Sequence, residues 1–100
     1  MTTIRYVLQE ARKRIAAPEL WGKGIRTRDR AINTCCISEA IEESTPVGAE
    51  AERFHALRAV YNAAGLDFGT DYITEWNDDP KRTHREVIAT LDLAIKLSEM

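Results

Sequence analysis

The segment that most constrains the fold is residues 76–83, Trp-Asn-Asp-Asp-Pro-Lys-Arg-Thr, which we call the joint. Pro80 has no backbone N–H and disfavours a helical conformation at the residue before it, so no helix can run through the joint. Thr83 is followed three residues later by Glu86, which is the pattern of a capping box. A new helix is therefore predicted to begin directly after Thr83.

Apolar residues recur at helical spacing after the joint and form one stripe. They are Val87, Ile88, Leu91, Ala94 and Ile95. Before the joint, a short helical turn is predicted to start at residues 70–71 and to carry Tyr72, Ile73 and Trp76 into the fold. Asn77 and Asp78 are residues that can close an Asx turn on the backbone. The joint is thus predicted to connect a short helical turn to a long, amphipathic last helix.

Three further amphipathic helices are predicted upstream of the joint. The first is capped by Thr2 or Thr3 and ended by Pro18, and its apolar face is Ile4, Val7, Leu8, Ala11 and Ile15. The second covers about residues 34–44 and buries Cys36, Ile37, Ala40 and Ile41. The third covers about residues 49–64, with Phe54, Leu57, Val60, Tyr61 and Ala64 facing inward and Gly65 closing it in the left-handed conformation.

The predicted fold class is therefore mainly α, a small bundle of about four helices in a single domain over residues 1–100. Residues 24–33 are left open between a short strand pair and an irregular loop. Within them, Arg26, Arg28 and Arg30 alternate and would share one face of an extended chain.

Composition is that of an ordinary soluble domain, with 44% hydrophobic and 30% charged residues. No apolar run approaches the roughly 20 residues of a membrane span, and the N-terminus lacks the apolar core of a signal peptide. Cys35 and Cys36 are neighbours, too close for ordinary disulfide geometry, which favours two thiols in a reducing compartment. A cytoplasmic protein without contact to a membrane is predicted.

The charge is divided unevenly along the chain. Residues 1–30 carry eight Lys/Arg against three Asp/Glu, whereas residues 31–80 carry two against ten, and the net charge is −2. The three arginines of residues 26–30 form a candidate strip for an anionic surface. Because the whole chain is acidic, a protein partner is predicted and direct binding of nucleic acid is not. The competing interpretation pairs these arginines with Glu39, Glu42 and Glu43 within the fold.

Catalytic and metal sites have weaker signals. Cys35 or Cys36 with His55 or His84, and Asp78 as the orienting group, would be a nucleophile and base, although a small buried thiol explains Cys36 more simply. Residues 21–24, Trp-Gly-Lys-Gly, match neither a P-loop nor a dinucleotide motif. The acidic residues Glu75, Asp78 and Asp79 lack the pattern of an EF-hand loop. No metal, cofactor or catalytic residue is predicted.

The joint also carries a resemblance. The pattern is Trp76-Asn77-Asp78-x-Pro80-x-Arg82-Thr83-x-x-Glu86-Val87, preceded by Cys36-Ile37-x-x-Ala40 and the spacing of Leu57 and Gly65. It resembles a family of small bacterial and phage proteins of unknown function over about residues 20–97. The chain departs from that pattern at Ser38, where the family has glycine, and in having a second cysteine, Cys35. The resemblance implies a compact, largely helical domain and no established activity.

These observations lead to one functional prediction and one alternative. The prediction is a small non-catalytic binding protein, a phage- or mobile-element-like accessory protein or inhibitor that docks on a larger host protein or nucleoprotein such as a defence complex. Its candidate binding residues are Arg26, Arg28, Arg30, Asn77, Asp78 and Arg82. The alternative is a small enzyme that uses a Cys–His pair. The sequence leaves self-association open.

Overall fold

Five α-helices account for most of residues 3–23 and 35–98, the parts of the chain that the computed structural model describes. They are α1 (Ile4–Arg14), α2 (Ile37–Glu43), α3 (Glu50–Ala64), α4 (Ile73–Asp78) and α5 (His84–Leu97), with a 3₁₀ turn at Pro18–Leu20. Within these ranges the only β-type pairing is an isolated bridge between Trp21 and Cys35, so there is no sheet. The prediction of a mainly α fold with four longer helices and one short one is confirmed.

Side chains from α1, α2, α3 and α5 meet in one hydrophobic core. Those that are buried include Val7, Leu8, Ala11, Ile15, Ile37, Ile41, Ala56, Val60, Val87, Leu91 and Ala94. Helix α1 lies against the other three, and α3 packs along α5. Burying each aliphatic side chain of this kind contributes about 1.5–3 kcal/mol, so this core is the main source of stability.

The helix ends follow the local signals in the sequence. The hydroxyl of Thr3 accepts from the backbone N–H of Tyr6 at 3.0 Å and caps α1. Thr83 and Glu86 form both bonds of a capping box, at 3.2 Å and 2.9 Å. Gly65 ends α3 at φ 76°, the left-handed region that glycine enters without strain. These three predictions are confirmed.

Two helices are shorter than predicted because extended backbone limits them. Helix α1 ends at Arg14, since Ala17 must be extended before Pro18, and Pro18 instead begins the 3₁₀ turn. Helix α2 begins at Ile37, because Cys35 pairs with Trp21 and Cys36 is also extended. Cys36 is therefore the N-cap of α2 and does not belong to its apolar stripe.

The inward face of α3 also differs from the prediction. Ala56 is fully buried, whereas Phe54 is 47% exposed and lies edge-to-face against Phe68 at 5.1 Å. A small residue such as Ala56 allows a close approach of α3 to α1 and α5, so the core face is centred on Ala56 and Val60. Phe54 then lies at the edge of the bundle.

The open question at residues 24–33, including Arg26, Arg28 and Arg30, lies outside the described residues, so those predictions stay untested. Within the described ranges, the longest helix has 15 residues, and none combines the length and apolar character that crossing a bilayer requires.

Candidate binding surface at the joint

Asn77 is the centre of the joint and is fully buried. Its side-chain oxygen Oδ1 accepts from the indole Nε1–H of Trp21 at 2.7 Å and from the backbone N–H of Ile37 at 3.1 Å. Its Nδ2 group donates to the carbonyl oxygen of Gly22 at 3.1 Å and to Oδ1 of Asp78 at 3.0 Å. Two donors face the oxygen and two acceptors face the nitrogen, so only one orientation of the amide satisfies all four groups.

Next to Asn77, the chain segments on either side of residues 24–34 are bonded to each other. The N–H of Gly22 donates to the carbonyl of Cys35 at 3.1 Å, and the N–H of Cys35 donates to the carbonyl of Leu20 at 2.9 Å. We call residues 20–22 and 35–37 the junction. Nζ of Lys23 also donates to the carbonyl of Pro80 at 3.2 Å, which ties the junction to the joint.

Arg82 closes the joint on its other side. Its guanidinium carbon lies 4.0 Å from the centroid of the Trp76 ring, and its Nε–H donates to the carbonyl of Trp76 at 2.9 Å. An ion pair to Glu86 at 3.5 Å holds the same side chain, which is only 18% exposed. A cation–π contact of this kind contributes about 0.5–2 kcal/mol. Arg82 therefore stabilises the joint and presents little surface outward.

An open groove of about 650 Å³ runs along the outside of α4 and the joint. Its lining residues are Tyr72, Thr74, Glu75, Asp78, Asp79 and Pro80. Tyr72 is 63% exposed, and Glu75 and Asp79 are exposed as well. One oxygen of Asp79 accepts from the N–H of Lys81 at 2.8 Å, which fixes the turn at Pro80 and Lys81. The groove thus combines a large exposed aromatic ring with negative charge on a fixed backbone.

A comparison with protein families shows which family the chain belongs to. A model described as a family of unknown function (DUF6197) matches residues 1–97. The chain belongs to the DUF6197 family. The comparisons with curated proteins and with solved structures gave no match. The resemblance implied a family of unknown function, and that much is confirmed. The matched region begins at residue 1 and not at about residue 20.

The candidate binding residues occupy different places in this DUF6197 protein. Asp78 is half-buried in the wall of the groove, Arg82 lies over Trp76, and Asn77 is inside the fold. Asn77 has no exposed surface, so any part it has in binding is to position its neighbours. Tyr72, predicted to point into the fold, instead lies outside.

Sequence reasoning missed the exposure of Tyr72, because the signal for it depends on the burial of Asn77. Ile73 and Asn77 are four residues apart, share one face of α4, and are both buried. Tyr72 is the N-cap residue of that helix and lies outside this face. The exposed position of Tyr72 follows once Asn77 is recognised as the buried polar partner of Ile73.

The cysteines are built into the N-terminus of α2. The sulfur of Cys36 accepts from the N–H of Glu39 at 3.5 Å, and Oε1 of Glu39 accepts from the N–H of Cys36 at 3.3 Å. Burial raises the pKa of the Cys36 thiol, because the thiolate is poorly solvated there. The Cys35 thiol, which was not among the side chains predicted to be buried, is buried too and lies 3.6 Å from Oε1 of Glu43.

The two histidines have different surroundings. His84 is half-buried. Its Nε2–H donates to the carbonyl of Ile15 at 2.7 Å, and its ring lies 6.1 Å from that of Trp21. His55 is exposed on α3 beside Phe54. In the described part of the chain, no three His, Cys, Asp or Glu side chains are grouped so that they could hold a metal ion.

The glutamates of α2 also have partners within the fold. Arg14 donates to the hydroxyl of Ser44 at 2.9 Å and to the backbone carbonyl of Glu43 at 2.9 Å, and it forms an ion pair with the carboxylate of Glu43 at 3.4 Å. A basic residue of α1 therefore already pairs with Glu43, one of the three glutamates considered as internal partners for the arginine strip.

Proposed function

We propose that the protein is a small non-catalytic binding protein that docks on a larger protein or nucleoprotein of its host. The groove beside the joint is the described part of its docking surface. The arginines at positions 26, 28 and 30, outside the described residues, are a second part. The contact is with protein and does not require direct binding of nucleic acid.

The observation that carries this proposal is the exposure of Tyr72 on the groove. Large aromatic side chains such as tyrosine supply much of the energy at protein interfaces when a partner covers them. Here the ring lies beside a backbone that Asn77 and Asp79 hold in place, so little conformational freedom would be lost on binding. An open groove of this kind suits a protein segment better than the enclosed, mostly apolar pockets that small molecules fill.

The cysteine and histidine geometry supports binding over the enzyme alternative. A nucleophilic cysteine is normally accessible and has a lowered pKa, whereas Cys36 is 2% exposed and its pKa is raised. Its sulfur caps α2, and the imidazole of His84 is bonded to α1. Cys36 and His84 are thus both engaged in holding helices in place, and His55 lies exposed on α3.

The protein is further proposed to originate from a phage or mobile element and to act in the cytoplasm. The resemblance of the joint to small bacterial and phage proteins supports a phage- or mobile-element-like accessory protein or inhibitor, for example one directed at a defence complex. Two buried thiols that form no disulfide fit a reducing, cytoplasmic environment.

Affinity capture with a matched pair of variants tests the proposal. The wild-type chain, Tyr72→Ala and Tyr6→Ala are immobilised and exposed to the same host extract, and retained proteins are quantified by mass spectrometry. Tyr6 is the control because it is also exposed, at 45%, but lines a different groove with Glu10 and Arg14. We expect Tyr72→Ala to reduce retention of a specific protein on the order of tenfold or more, and Tyr6→Ala to leave it unchanged.

Circular dichroism of each variant shows that the fold is intact before capture is compared. The proposal is wrong if the wild-type chain retains no specific protein. Equal retention by folded Tyr72→Ala and wild type would remove the groove as the docking surface.

A further inference from the structure

One buried amide links the outer groove to the junction. Nδ2 of Asn77 bonds Asp78, which lines the groove, and Oδ1 of the same amide bonds Trp21 and Ile37 at the junction. Trp21 is 56 residues away along the chain and Ile37 is 40 residues away. One planar group, the amide of Asn77, therefore connects the groove to the junction, in addition to the bond from Lys23 to Pro80.

That group is rigid, so its bonds depend on one another. Because the carboxamide is planar and fully buried, moving Nδ2 towards or away from Asp78 also moves Oδ1 relative to its two donors. Connected hydrogen bonds in surroundings of low dielectric constant polarise one another, so they strengthen or weaken together. A change at the carboxylate of Asp78 is expected to reach the N–H of Ile37.

We propose that Asn77 couples the groove to the junction, so that a cationic hydrogen-bond donor of a partner that engages Asp78 weakens the bonds holding Trp21 and Ile37. The coupling is reciprocal: loosening the junction also changes the affinity of the groove for such a donor. The nature of the trigger rests on the proposed function, whereas the coupling itself is a property of the chain alone.

The amide of Ile37 is a direct probe of the coupling. Ile37 is the first residue of α2, and the first amides of a helix have no acceptor within it. Oδ1 of Asn77 is the acceptor that protects this N–H. The amide of Val60, in the middle of α3 and fully buried, reports global unfolding instead.

Native-state hydrogen exchange of the full chain, measured by NMR, tests the proposal with three variants. Asp78→Ala removes the acceptor, Asp78→Asn removes only the charge and keeps an oxygen for Asn77, and Glu75→Ala alters another groove residue of α4. With exchange at Val60 as the reference, we expect Asp78→Ala to accelerate exchange at Ile37 about fivefold, the size expected for one hydrogen bond. Asp78→Asn and Glu75→Ala are expected to stay within about twofold of wild type.

Three outcomes would overturn the coupling. Asp78→Ala could leave Ile37 unchanged relative to Val60, or it could act no more strongly than Glu75→Ala. An equally large effect of Asp78→Asn would assign the effect to charge and not to the Asn77 bond. Should Asp78→Ala not fold, Asp78→Val, which also lacks a side-chain acceptor, is measured in its place with the same expectation. None of these results depends on capture of a partner, so the coupling and the proposed function can fail separately.

Discussion

Asn77 is a residue for which the structure leaves few substitutes. Aspartate could accept from Trp21 and Ile37, but it would place a second carboxylate against Asp78 and the carbonyl of Gly22. Leucine fills the space but removes the acceptor for Trp21 and Ile37 and the donor to Gly22, and each buried polar group left unpaired costs about 1–3 kcal/mol. Asn77 is thus required for the structure of the joint and of the surface around it.

Cys36 has an equally specific place at the residue scale. Its sulfur performs the capping role that serine, threonine, aspartate or asparagine usually perform, while its side chain packs in the buried end of α2. Cysteine is among the most buried residue types and behaves as a small hydrophobe, so it suits a cap that faces the core. This placement leads to a prediction about reactivity.

In the Cys35→Ala variant, we expect the Cys36 thiol to react with a thiol reagent at least about 100-fold more slowly at pH 7 in the folded protein than in urea, because reaction requires local opening. The pKa of Cys36 is raised above its ordinary value of 9.0, so the folded protein holds its thiol proton over a range where the unfolded chain loses it. Labelling of the folded protein should therefore keep rising with pH above that value.

A suitable control carries one exposed thiol, Thr70→Cys, with both native cysteines replaced by alanine, and it should react nearly as fast folded as unfolded. Fast labelling of folded Cys36 at pH 7 would contradict its burial and would support the enzyme alternative.

At the scale of elements, the joint depends on neighbours because α4 is too short to be stable alone. A helix of six residues cannot form independently in water. Its first N–H, that of Ile73, donates to the phenol oxygen of Tyr61 at 3.0 Å, and Asn77 fixes its last turn. Helix α5 differs, since its capping box and apolar stripe specify it locally.

Loss of the cap of α5 is expected to lower stability by a predictable amount. Thr83→Ala removes the hydroxyl that accepts from the N–H of Glu86, and this should lower the free energy of unfolding by about 1 kcal/mol. The measurement is urea unfolding followed by circular dichroism. Thr70→Ala, an exposed threonine outside the helices, is the matched control and should change stability by less than about 0.5 kcal/mol. Equal effects of the two substitutions would show that the capping box does not stabilise α5.

At the scale of the whole molecule, charge is separated between the ends and the middle of the chain. Residues 31–80 hold ten of the sixteen acidic residues, and the groove lies among them. Residues 1–30 hold eight of the fourteen basic residues. Such a separation steers association with a partner of complementary charge more than it determines the fold.

Reversing the charge of the arginine strip tests its part in docking. We expect the triple change of Arg26, Arg28 and Arg30 to glutamate to leave the melting temperature unchanged and to weaken partner capture, more at low salt than at high salt, because salt screens exposed charges. Capture at two salt concentrations and thermal unfolding by circular dichroism are the measurements.

A second triple variant, with the exposed residues Arg53, Arg85 and Lys96 changed to glutamate, makes the same change in charge elsewhere in the chain and should leave capture intact. Internal pairing of the strip with Glu39, Glu42 and Glu43 predicts a lower melting temperature instead. Undiminished capture by the folded strip variant would place the docking contact elsewhere.

The sequence by itself determined the helices whose signals lie within a few residues of each other. Thr83 and Glu86 are three residues apart, and Gly65 follows directly on the last turn of α3. Apolar periodicity then shows which face of α5 is buried. Local hydrogen bonds and periodic burial need no knowledge of the rest of the chain.

Tertiary structure alone decided which polar side chains the surface exposes. Asn77 meets Trp21 across 56 residues, and His84 meets Ile15 across 69, so neither contact has a signal in the neighbouring sequence. Burial of Asn77 in turn leaves Tyr72 outside. A polar residue can be buried only where distant groups supply all of its hydrogen bonds, and those groups come together only when the helices have packed.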